Sequence, residues 1–149
     1  MNETQAVFLL ITALLALALY RRPDSLTLTL AAAFGAAMAV AAVWPPETRL
    51  PVTVALDGAV VAMAARLARV HLSDRAAVVV GIGTLKVVFE LAAASFGIVQ
   101  HVRAAGVNSA FIIQVLVAGG MANGIMAWVG HRAGRLVDLR RRVLGIMGV

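Results

Sequence analysis

Apolar residues run along this chain in long blocks, with polar residues gathered into short joins between them. Charge-free stretches extend from Thr4 to Tyr20, from Ser25 to Trp44 and from Ala104 to Gly130. Two further blocks are interrupted: Leu50 to about Val70 contains Asp57 and Arg66, and Ala76 to Val99 contains Lys86 and Glu90. A helix needs about 20 apolar residues to cross the hydrocarbon core of a bilayer. The pattern therefore predicts five transmembrane helices at about 5–20, 25–44, 50–70, 76–99 and 105–130. Pro23, the Pro45-Pro46 pair with Pro51, and the polar run 71–75 punctuate the joins, because proline and short polar clusters stop helices. Joins this short make neighbouring helices antiparallel.

Beyond residue 130 the pattern changes. Leu136, Leu139, Val143, Ile146 and Met147 recur near helical spacing, and Arg132, Arg135, Arg140, Arg141 and Arg142 occupy much of the opposite side. Residues 131–149 are expected to form a basic amphipathic helix lying on a membrane surface, with its arginines on anionic lipid headgroups. A tail that binds a protein partner is the alternative. The expected fold is thus an all-α membrane protein, a bundle of about five transmembrane helices over 1–130 plus a short C-terminal amphipathic helix.

Composition agrees with this pattern. Of the 149 residues, 62% are hydrophobic and 13% charged, and the mean hydropathy is +0.94. A soluble domain carries roughly a quarter of its residues charged, so lipid is the expected solvent. The leader Met1 to Gln5 lacks the basic residues of a secretory signal, and Arg21-Arg22 follows the first apolar run directly. The first block is therefore expected to remain as a helix, although Ala16-Leu17-Ala18 imitates a cleavage site.

The charge distribution sets an orientation, since loops rich in arginine and lysine stay in the cytoplasm. With the N-terminus outside, the inner side collects Arg21, Arg22, Arg66, Arg69, Arg75 and the five tail arginines, and the outer side only Arg49 and Arg103. Tyr20, Trp44 and Trp128 fall near span ends, where aromatic belts lie. The expected location is the cell inner membrane, with the C-terminus cytoplasmic. Twelve of the thirteen basic residues are arginine, which with abundant alanine suggests a GC-rich bacterial genome. The net charge of +6 is accounted for by insertion, and nucleic-acid binding is not expected.

Three ionisable residues lie within the blocks, Asp57, Lys86 and Glu90. Each such group costs about 2.5 to 3.5 kcal/mol on insertion scales, so it persists only when paired, hydrated or useful. Lys86 and Glu90 are four apart on one helix face and within reach of an intrahelical ion pair. Counting back from a turn near residue 72 or 73 places Asp57 opposite about residue 88. The three are expected to form one mid-membrane cluster, serving either as a polar staple with one carboxyl protonated or as a proton or ion site. Arg66 and Arg69 lie close enough to a helix end to snorkel into the headgroups.

Small residues mark expected packing faces. Gly119, Gly120, Ala122 and Gly124 enrich the last span, with Gly120 to Gly124 a GxxxG step, and Asn108, Gln114 and Asn123 add hydrogen-bonding side chains. Ala31, Gly35 and Ala39 form a similar ridge on the second span. Packing within one subunit and contact in a homo-oligomer are both readings of these faces.

Catalytic and metal chemistry finds little support. Cysteine is absent, His71, His101 and His131 alternate between membrane sides, and no HExxH motif occurs. Ser25, Ser73, Ser95 and Ser109 show no pattern of triad partners. The Gly81–Lys86 stretch lacks both the Walker spacing and the third glycine of a dinucleotide turn. Neither an enzyme nor a cofactor is expected. The leading functional expectation is a self-assembling, holin-like pore. A small ion- or proton-coupled transporter or channel using Asp57, Lys86 and Glu90 comes second, and an accessory subunit of a larger membrane complex third.

Overall fold

The computed structural model describes residues 2–148, without the side chains of Ile125, Val129, Ala133, Leu136 and Val137. Leu136, expected on the apolar side of the tail, thus lies outside the described side chains. Six α-helices follow one another: α1 (Glu3–Arg21), α2 (Ser25–Val43), α3 (Leu50–His71), α4 (Asp74–Ser95), α5 (Gln100–Ala118) and α6 (Asn123–Ile146), with one 3-10 turn at Pro46–Thr48. No strand occurs among the described residues. Helices α1 to α5 are each long and apolar enough to cross a membrane. At 1.5 Å per residue they measure about 28 to 33 Å, which matches a hydrocarbon core of about 30 Å.

Local chemistry explains where the helices begin and end. Asn2 and Gln5 close a reciprocal capping box on α1, the Asp24 carboxylate caps α2 by accepting from the Thr27 N–H, and Ser73 caps α4. Each satisfies an amide left orphaned in a first turn. At the far end of α2, Arg49 donates from Nε to the Trp44 carbonyl at 2.5 Å and from Nη2 to the Ala41 carbonyl at 2.7 Å. The α3–α4 join is only two residues long, and Leu72 turns it in the left-handed region at φ 48.

The last predicted span requires correction. An apolar run from 105 to 130 suggested one helix, but α5 starts at Gln100 and stops at Ala118. Gly120 adopts φ 69, its N–H bonds the Val117 carbonyl at 3.1 Å, and the Met121 N–H bonds the Leu116 carbonyl at 2.8 Å. This is a Schellman ending, whose left-handed residue carries no steric penalty only in glycine. The same motif ends α4 at Gly97, where Ile98 N–H reaches the Ala93 carbonyl. Residues 123–130, predicted to be membrane-spanning, instead open α6, which continues through the arginine-rich tail as one 24-residue helix.

The Schellman turn also dissolves the GxxxG step. Gly120 belongs to the turn and Gly124 to the next helix, and a methyl group added at Gly124 would meet nothing within 4 Å. Asn123 is exposed at the start of α6. Gly35 is exposed on α2, and a methyl group added there would meet nothing within 4 Å, although Ala31 of the same ridge packs against the core. Gly119 does pack closely, as an added methyl would come within 2.8 Å of Ala18 Cβ on α1.

Helix α4 lies at the centre. Its buried positions Ala76, Val79, Gly83, Lys86, Glu90 and Ala93 recur at steps of three and four, which draws one stripe down the helix. α3 and α5 flank it, and α1 and α2 complete the bundle against α5 and α3. Leu9, Leu10, Leu17, Met38, Leu85, Val88 and Leu91 point outward, an apolar surface that water would not favour. The joins at Arg22, Leu72 and Gly120 share one end of the bundle, the Arg75 end. The joins after Val43 and Ser95 share the other.

Candidate functional site

The stripe of α4 carries the site. Packing requires this face to be buried, so Lys86 and Glu90 are drawn in with it, only 7% and 5% exposed. From α3, Asp57 meets the lysine, and Lys86 Nζ donates to Asp57 Oδ1 at 2.6 Å. Counting from the turn had placed Asp57 opposite residue 88, and its partner lies two residues away.

The expected intrahelical pair does not form. Lys86 pairs across to α3, and Glu90 Oε2 is buried with no hydrogen-bond partner. Shared spacing of four residues permits an i to i+4 pair, but the rotation of α4 against α3 brings Asp57 to the ammonium instead. Lys86 Nζ also lies 5.2 Å from the centroid of the Phe111 ring on α5, within cation–π range. Phe111 stacks on Phe34 of α2 at 5.9 Å, and Phe34 meets Phe8 of α1 edge-on at 6.3 Å. A line of aromatic rings thus joins the lysine to α5, α2 and α1.

One turn from the lysine the polar seam continues. Gln114 of α5, 2% exposed, donates from Nε2 to the Val79 carbonyl of α4 at 3.2 Å. Gly83 makes room for it, since a Cβ there would lie 3.0 Å from Gln114 Nε2 and 2.6 Å from Val61 Cγ2. Gly106 plays a similar part against the Phe89 ring at 2.6 Å. Sequence reasoning named Gln114 but missed both glycines. The spacing of Gly83 to Lys86 and Glu90 on one stripe was the available signal.

A second polar group closes the Arg75 end. Arg75 donates from Nη2 to Asp24 Oδ2 at 2.8 Å and from Nη1 to the Ala118 carbonyl. It thereby ties α4 to the first turn of α2 and the last turn of α5, and satisfies a carbonyl left free at a helix end. Burial pushes the Asp24 carboxyl up, but the Thr27 N–H, the Arg75 guanidinium and the Thr27 hydroxyl outweigh it, holding the group below the usual aspartate value of 3.8.

On α6, Arg132, Arg135, Arg140, Arg141 and Arg142 are exposed. Arg132 lies over the Trp128 ring at 5.2 Å, and Arg135 Nε lies 3.0 Å from His131 Nε2. Among the described residues no three His, Cys, Asp or Glu side chains converge on a metal position. Asp57 and Lys86 form an ion pair, and one turn along α4 Glu90 has a buried oxygen without a hydrogen-bond partner. Comparison with protein-family models, curated proteins and solved structures finds no match for the chain.

Proposed function

We propose that this chain is a small proton-linked membrane transporter or channel in which Glu90 exchanges the proton. The observation that carries the reading is Glu90 itself: a carboxyl side chain deep in the apolar stripe of the central helix, with a buried oxygen that nothing satisfies. A buried ion without a partner is far costlier than a neutral carboxyl, so Glu90 holds a proton in the arrangement seen. Loss of that proton leaves a second negative charge, after that of Asp57, within one helical turn of Lys86. The ammonium then has two carboxylates to choose from, Asp57 across the interface and Glu90 one turn along. A lysine that moves between them couples a proton to the α3–α4 contact, the kind of two-state element on which gating depends.

The test is proton flux into vesicles containing the purified chain, driven by a pH gradient and followed with an entrapped pH dye. Glu90→Gln keeps shape and hydrogen-bonding capacity but cannot ionise. The expected result is flux in the natural chain and at least a tenfold loss in Glu90→Gln, with the melting temperature in detergent unchanged or higher. Equal flux in both would remove Glu90 from the function.

The holin-like reading keeps one specific support, the open face of α2 at Gly35, where a second copy has room to approach closely. It has lost the GxxxG step. Expression that abruptly depolarises and kills a bacterium, regardless of residue 90, would favour it over the proton-linked reading.

A further inference from the structure

Two grooves on the surface of α3 share one arginine. The first, of about 430 Å³, runs between α3 and the first turns of α2, lined by Ser25, Leu28, Thr29, Met63, Arg66 and His71 among others. The second, of about 490 Å³, lies on the other side of Arg66 along Ala62 and Ala65 and ends at Arg69. No carboxylate lines either groove, and among the described residues neither Arg66 nor Arg69 forms an ion pair. Arg66 is five residues from the end of α3 at His71, about 7.5 Å along the axis. An arginine head reaches the headgroup layer from that depth.

We propose that these grooves hold one anionic phospholipid. Its phosphate sits between the Arg66 and Arg69 guanidiniums, with the Ser25 hydroxyl as a donor on the α2 side. One acyl chain lies along Leu28 and Met63 and the other along Ala62 and Ala65. Charge complementarity commits the site to an anionic lipid: two guanidiniums face a headgroup that in a zwitterionic lipid carries its own compensating amine. Twin grooves flanking a shared cation match a molecule with two chains and one phosphate. The arginine asymmetry of the sequence puts this end of the bundle at the leaflet where anionic lipid is expected. The proposal is independent of the reading of Glu90.

Native mass spectrometry of the full chain, released from a neutral detergent after titration with dioleoylphosphatidylglycerol or dioleoylphosphatidylcholine, tests it. The natural chain is expected to retain one phosphatidylglycerol in preference to phosphatidylcholine. Arg66→Gln, an exposed change that leaves the fold intact, is expected to lower that retention about fivefold, the loss of one arginine near an anionic lipid. Arg66→Lys restores most of it, and Met63→Trp, which fills the first groove, lowers it as well. Substituting Arg140, Arg141 and Arg142 together by glutamine leaves the first lipid bound. Equal retention by Arg66→Gln, loss confined to the tail variant, or no preference between the two lipids would overturn the site.

Discussion

At the scale of single residues, the contrast between Lys86 and Glu90 organises the interior. Both are buried on the same stripe, yet one has its counter-ion at 2.6 Å and the other has an unsatisfied oxygen. Removing one member of a buried pair leaves the other uncompensated, at a cost of about 3 to 5 kcal/mol, whereas replacing both with apolar residues of similar size is often neutral or better. Lys86→Ala is therefore expected to lower the melting temperature in detergent sharply, and Lys86→Met combined with Asp57→Leu to recover it. A double variant that stays stable but carries no proton flux would separate the staple from the function within one experiment. The nearness of Asp57 to Lys86 was legible in the sequence, because a two-residue turn makes antiparallel counting accurate to within two positions. The choice of Asp57 over Glu90 was not, since it depends on the rotation of one helix against another, to which spacing is blind.

At the scale of elements, the joins decide more than the spans. Arg75 gathers three helix ends at one point, and Asp24 serves both as the cap of α2 and as the partner of Arg75. A carboxyl held below its usual value in the folded chain adds stability above that value and loses it as the pH falls through the folded one. Thermal stability is accordingly expected to fall as the pH drops below about 3.8, the usual aspartate value, as the bonds to Thr27 and Arg75 are lost. Asp24→Asn should be less stable at neutral pH and flatter over that range, and an unchanged acid limb in the variant would remove Asp24 from the account. Four of the five spans were read to within four residues at either end from apolar runs alone. The fifth was overrun by twelve residues at its end because hydropathy continues smoothly across Gly119-Gly120 while the backbone turns there. The glycine pair was the signal, and it was read as a packing step when its use at Gly120 is a positive φ.

At the scale of the whole molecule, five apolar helices surround a narrow polar seam running through Gln114, Lys86 and Glu90, with arginines concentrated at one end. The outward faces carry Leu9, Leu17, Leu85 and Leu91, on helices long and apolar enough to cross a membrane. In this seam Lys86 and Gln114 each bond a neighbouring helix, whereas the buried Glu90 oxygen bonds none. The claim that Glu90 carries an exchangeable proton is tested most directly by infrared spectroscopy of the chain in bilayers, comparing H₂O with D₂O. The account predicts a protonated-carboxyl band that shifts on exchange while the helices stay intact and that is absent from Glu90→Gln. A band that persists unchanged in Glu90→Gln, or the absence of any such band in the natural chain, would contradict it.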